Sequence, residues 1–467
     1  MNLKNSFARV LPLTALCLAA VMPVTFTSCG DDDEPSEKDG NGGEVIPGVT
    51  GDEALSPQEQ KETLEKVGIA LLDEINAADF GSLKDVVEYA ADHYADGKYA
   101  TGAIDRWYDA CLEALSKTDE GTTTTTDRYD YGSEGWKSTY IYEYTYHDYR
   151  TLYLASNFTG HFEAGATGWT YTPSKDDLQF TFKDGAGRTC VLKLTTGGKV
   201  KPVYMGTSEH WKWLEEDSEM DYDNNVYHWV YLINREKRIY GIPEKAEVTL
   251  TQGGNVIAKA VVTTDLSSMA SENYDLSKDS YSANATLEVA GYAWTVDRLA
   301  YTADKHATLT YGFRHGSTNL ITMSLSADGK FGTEGTEGTK KVVVDIDVMN
   351  SVQLKGTLAD AGRFVDYLDE AERNDENELG FKSYISQANG LLDLGLYFNN
   401  GSARQGDVRL EPFAERYGSY SYWTYEPVIC FEDGTSYSTF SAFFNQKDFR
   451  SLINQFEKLA DEFSDLY

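Results

Sequence analysis

Few residues of this 467-residue chain have types and spacings that could do chemistry. Gly206-Thr-Ser-Glu-His210 opens like a nucleophile elbow, but His210 stands where that turn needs its second glycine. Asp221-Tyr-Asp-Asn-Asn225 opens like a calcium loop, which needs Gly at its sixth position and Glu at its twelfth. Val226 and Leu232 occupy those positions, so a polar turn between Trp213 and Trp229 is the better account. The histidines are His93, His147, His161, His210, His228, His306 and His315, and no two share a metal-ligand spacing on one element. There is no HExxH, no P-loop and no dinucleotide fingerprint. With 75 acidic residues, a carboxylate pair at glycosidase separation could exist, but a linear sequence cannot pick it out. The sequence therefore assigns no catalytic residue, metal ligand or cofactor, and the expectation is a protein that is not an enzyme.

Aromatic rows are the remaining clue. Tyr140, Tyr142, Tyr144 and Tyr146 alternate, so they project from one face of one strand. Trp211 and Trp213 share a face in the same way, as do Trp169 and Tyr171. Such rows on an open sheet stack on the C–H faces of sugar rings. The high β-propensity of tyrosine accounts equally for the Tyr140–Tyr146 row as a half-buried sheet face. Trp211 and Trp213 sit in the polar segment Glu209–Asp217, where packing explains them less well.

A lone cysteine sets the address. Lys4 and Arg9 precede an apolar run from Val10 to Val24, too short for a membrane span and suited to a signal-peptide core. Thr27 and Ser28 lead to Cys29, and Gly30, Asp31, Asp32, Asp33 and Glu34 follow. This arrangement resembles a bacterial lipoprotein signal, with Phe26 where the box usually has Leu. The acids directly after Cys29 resemble the surface-export tether of Bacteroidetes lipoproteins. The resemblance implies lipidation of Cys29 by palmitate-class acyl chains. It implies anchoring in the outer membrane with the body exposed at the cell surface, or facing the periplasm as the alternative. The body likewise resembles the large lipoproteins of that group.

Charge narrows the partners. The chain carries a net charge of −34, and the leader contributes Lys4 and Arg9, so the chain after it stands at −36. That field repels nucleic acid and anionic membrane surfaces. The partners expected are the membrane, through the anchor at Cys29, and a glycan or lipid ligand. Cys111, Cys190 and Cys430 are odd in number and widely spaced, which fits buried apolar fillers better than a disulfide framework, although one pair could bridge in an oxidising compartment.

The elements follow from periodicity. Removing 28 of 467 residues as signal peptide (1–28) leaves 439. Residues 29–51 read as an acidic, Gly-rich tether, and 52–120 as three helices packed together. The first opens at the Ser56-Pro57-Gln58-Glu59 capping signal. Gly121 and the Thr122–Thr126 run read as a linker. From 127 to 350 the period is two, with turn signals such as Asp184-Gly-Ala-Gly187 and Gly253-Gly-Asn255 between runs. Residues 351–467 read as α+β, closing on an amphipathic helix with Phe449, Leu452, Ile453 and Phe456 on its apolar face. The fold class expected is α+β: an N-terminal helical segment, a large antiparallel sheet of successive hairpins, and C-terminal helices packed on the sheet.

Three functions fit. The first is a non-enzymatic surface lipoprotein that captures a glycan, adheres or serves structurally. The second is a lipid carrier with a curved-sheet cavity lined by Ala283, Ala285, Val289 and Ala293. The third is a carboxylate-dependent hydrolase.

Overall fold

The computed structural model describes residues 49–95, 102–132, 138–269, 278–303, 305–329, 339–417 and 420–438. The leader, Cys29, most of the tether and the helix expected over 449–463 lie outside the described residues.

The chain is mostly β. Among the described residues one mixed sheet contains nineteen strands, with a few helices beside it. The first part comprises helices α1 (Pro57–Asp73), α2 (Gly81–Ala90) and α3 (Gly102–Glu113), then β1 (Ser116–Tyr131) and β2 (Ser138–Leu154). Next come β3 (Gly160–Ala164), β4 (Trp169–Thr172), β5 (Asp177–Lys183), β6 (Thr189–Trp213), β7 (Glu219–Asp221) and the long β8 (Val226–Gln252). From β8 the sheet runs as a meander through β9 (Asn255–Asp265), β10 (Tyr281–Val289), β11 (Tyr292–Thr302), β12 (His306–His315) and β13 (Thr318–Gly329). It continues through β14 (Thr339–Val348) and β15 (Val352–Leu358), with α4 (Ala361–Glu372) and α5 (Glu378–Asn389) before β16 (Leu392–Phe398). β17 (Gly406–Tyr417), β18 (Tyr420–Cys430) and β19 (Ser436–Ser438) complete it.

Two expectations about the sheet change. It is mixed, because β2 pairs in parallel with the first half of β8 and β3 pairs in parallel with β5. The Gly121–Thr126 stretch is no linker but the middle of β1, where Thr122 to Thr126 face His147 to Glu143 of β2. β-branched threonines suit an extended strand even when, as here, nearly all of β1 is exposed.

Among the described residues the N-terminal helices dock at separate places on the sheet rather than packing as the bundle expected. Leu64 and Val67 of α1 pack against Val352, Leu396 and Phe398. Ile75 and Phe80 pack against Tyr292, Phe313 and Leu320, and Val86 of α2 against Phe182 and Cys190. Trp107 of α3 meets Phe162 at 5.2 Å between ring centroids. An apolar sheet face needs cover along its length, and a spread row of helices supplies more of it than a compact bundle. Farther along the sheet, Phe364, Leu368, Phe381 and Ile385 of α4 and α5 cover Val344, Ile346, Leu394 and Val408. Tyr292 fixes the helix row to the sheet: its hydroxyl accepts from Asn76 N at 2.9 Å and lies 3.0 Å from Glu74 O.

The start of the described chain is pinned to the β16–β17 turn. Asn399 Nδ2 donates to Val49 O at 2.6 Å, and Ala403 N donates to Gly51 O at 3.0 Å. Gly51 has φ +73°, and a Cβ there would lie 2.1 Å from Phe398 O, so only glycine fits. Gln405 then binds both Leu55 N and Glu53 O.

Candidate functional site

Four strand segments form a wing beside the meander. β1 pairs with β2, β2 with the first half of β8, and β8 with the second half of β6. Alternation sends Tyr140, Tyr142, Tyr144 and Tyr146 of β2 to one face. The parallel register sets Tyr140 beside Tyr227, Tyr142 beside Trp229 and Tyr144 beside Tyr231. Across β8, Trp213 stands opposite Tyr231 and Trp211 opposite Ile233. The two aromatic rows expected from sequence therefore lie on the same face, joined by a third row on β8.

The rings touch. Tyr144 is central, at 6.2 Å from Tyr142, 6.3 Å from Tyr146, 5.8 Å from Trp211 and 5.8 Å from Tyr231. Trp229 lies 5.4 Å from Trp213 and 4.5 Å from Tyr227. Tyr129 of β1 extends the surface, 5.6 Å from Tyr142. The tryptophans remain open: Trp211 is 51% exposed and Trp213 41%. Among the described residues, none of the helix-containing hydrophobic clusters includes a residue of β1 or β2.

Polar contacts hold the rings in place. Trp211 Nε1 donates to Glu209 Oε2 at 3.2 Å, and Trp213 Nε1 to Ser218 Oγ at 2.9 Å. Ser218 Oγ also accepts from Val230 N at 3.0 Å, which pins the turn between β6 and β8. At the lower end Arg235 lies 4.2 Å over the Tyr146 ring. Its Nε donates to Asp148 Oδ1 at 2.5 Å and its Nη2 to Asp148 Oδ2 at 2.7 Å. Those bonds hold the Asp148 carboxyl below its usual range. Burial, and the Asp127 carboxylate after it, raise the Tyr144 phenol. On the opposite face of the wing Glu143 and His228 stand 3.6 Å apart, and His147 lies 3.4 Å from Asp119.

The other candidates are placed as follows. Trp169 packs into the α2 cluster and Tyr171 against Phe162, so this pair stands apart from the platform. In the Asp221–Asn225 turn, the Asp221 carboxylate accepts from Asp223 N, Asn224 N and Asn224 Nδ2. Its oxygens are thus spent on closing the turn. Among the described residues no group of three His, Cys, Asp or Glu is placed to hold a metal ion. Cys111, Cys190 and Cys430 are free. No helix of the described residues is long and apolar enough to cross a membrane. A groove of about 390 Å³ at the hairpin tips is lined by Val289 and Ala293, two of the four residues expected for a carrier cavity, but Glu288 and Arg314 line it as well.

Sequence reasoning missed the β8 row. Its signal was present in Tyr227, Trp229 and Tyr231, which alternate as the β2 row does. Compared with known proteins, the chain matches no family model, no curated protein and no solved structure.

Proposed function

We propose that the chain is a non-enzymatic binding lipoprotein, anchored in the outer membrane through Cys29 and exposed at the cell surface, whose ligand is a glycan. One observation carries this reading: three strands pool their aromatic side chains on a single open face, with Trp211 and Trp213 still half exposed. Flat rings held rigid by their neighbours offer C–H stacking area at little entropic cost. The geometry of attachment agrees. The chain enters at the β16–β17 turn, eight strand steps from β8, on the order of 40 Å along the sheet. That distance separates the wing from the point where the tether joins the body. The carrier reading has less support, since its groove is rimmed by the Glu288 and Arg314 charges.

The test is titration of the protein with a panel of soluble polysaccharides, followed by tryptophan fluorescence and calorimetry. At least one glycan should bind, and the double variant Trp211→Ala, Trp213→Ala should lose it. A glycan that binds equally well to the double variant would move the site elsewhere, and a glycan that is cleaved would make the protein an enzyme. Cys29→Ala should release the protein from the membrane fraction.

A further inference from the structure

We infer that the platform selects uncharged glycans, and that the Asp148–Arg235 ion pair sets this selectivity. The inference rests on the glycan reading above. Arg235 stands over the Tyr146 ring, its guanidinium carbon 4.2 Å from the ring centroid. A free guanidinium there would clamp a carboxylate or sulfate in two-pronged fashion. Asp148 takes the Nε–Nη2 edge of Arg235, at 2.5 Å and 2.7 Å, and balances its charge. What remains of Arg235 is its Nη1 end, whose charge Asp148 already balances, and a planar face beside the Tyr146 ring.

The neighbouring charges act the same way. The next cation on this face, Lys237, stands 4.0 Å from Glu120, and Arg150 is also engaged. Two acids border the rings. Asp127 is the cross-strand partner of Tyr142, and Glu209 holds Trp211 and faces Arg235 across the strands. An anionic sugar laid on this surface meets the Asp127 and Glu209 carboxylates and, at Arg235, a cation already balanced by Asp148, within a chain of net charge −34. A neutral sugar stacks without either cost. The rings also follow one another along β2 at 6.2 and 6.3 Å, so the surface suits several consecutive sugar units more than a single terminal one.

The experiment uses the full-length protein in detergent micelles. The probes are neutral oligosaccharides of two to eight units (cello-, manno-, xylo- and chito-series), with polygalacturonate and heparin as anionic polymers. Wild type should bind a neutral series with affinity rising with length, changing less than about twofold between roughly 50 and 500 mM salt. It should bind neither anionic polymer. Asp148→Asn frees the guanidinium and should raise affinity for polygalacturonate about tenfold at low salt, with the gain lost at high salt. Glu209→Gln, at an exposed position, should shift affinity the same way by less and serves if Asp148→Asn does not fold. Anionic polymers binding wild type as tightly as neutral ones would overturn the selectivity while leaving the glycan reading intact. So would variants that gain nothing. If no glycan of either charge binds, the glycan reading itself falls.

Discussion

Tyr144 of β2 and Trp211 of β6 meet edge to face, their ring centroids 5.8 Å apart across β8. The contact exists only because β8 accepts β2 in parallel on one side and β6 antiparallel on the other. The two residues carry different burdens. Tyr144 touches four rings, so Tyr144→Ala should cost about 2 kcal/mol of stability in urea unfolding. Trp211 is 51% exposed, so Trp211→Ala should cost under about 1 kcal/mol and instead weaken glycan binding by about tenfold or more. Equal stability losses in the two variants would show that Trp211 is packing, not platform.

Asp184 should be a structural keystone at the opposite end of β8. Its buried carboxylate accepts from Ala186 N, Arg188 N and Arg188 Nε, and from Gln252 Nε2 at 2.7 Å. It thus closes the β5–β6 turn and ties it to the end of β8. Asp184→Ala leaves Gln252 and two backbone donors without that acceptor, at a cost of about 2–3 kcal/mol. The urea midpoint measures it, and Asp184→Asn should recover part of the loss. A midpoint unchanged in Asp184→Ala would mean that water replaces the carboxylate without penalty.

How much of this was legible depends on the range of each signal. The start of α1 was, because Ser56 and Glu59 cap one another locally, with Ser56 N donating to Glu59 Oε2 at 3.0 Å. The hairpins at Asp184-Gly-Ala-Gly187 and Gly253-Gly-Asn255 were, because their turn residues are adjacent. β1 was not: it is an outer strand exposed on both faces, so its Thr run lacks the apolar alternation that marks a half-buried strand. The Tyr140–Tyr146 and Trp211–Trp213 rows could each be read, but not their meeting. Parallel pairing of β2 with β8 joins segments far apart in sequence and leaves no local mark.

The three body cysteines should behave as inert fillers. Burial raises all three thiols; Cys190 is buried in the cluster with Val86 and Phe182, and Cys111 is buried with its Sγ donating to Asn157 O at 3.0 Å. In the folded protein at pH 8, Cys111 and Cys190 should react with an aromatic disulfide reagent only at the rate of unfolding. In denaturant all three should react without prior reduction. A thiol count that rises only after a reductant would show a disulfide that the folded geometry does not contain.

Acid should weaken the region around β3, β5 and β6 through Asp177. Its carboxylate accepts from Lys193 Nζ at 2.8 Å, from His161 Nε2 at 2.6 Å and from Ser174 Oγ at 3.2 Å. These bonds, that from Lys193 foremost, hold it down to about 2. In the unfolded chain an aspartate titrates near about 4. The folded value is the lower of the two, so the charged form stabilises the fold above about pH 4. That contribution fades as pH falls from about 4 towards 2, where both states are protonated. Asp433, held down to about 2 by Thr435 and Lys61, adds a contribution of the same sign at the α1 end. Urea midpoints of wild type and Asp177→Asn, measured from pH 7 to pH 2.5, decide it. The variant should lie below wild type at neutral pH, and the gap should close as the pH drops. A gap of constant size would mean that Asp177 acts through its shape and neutral hydrogen bonds and not through its charge.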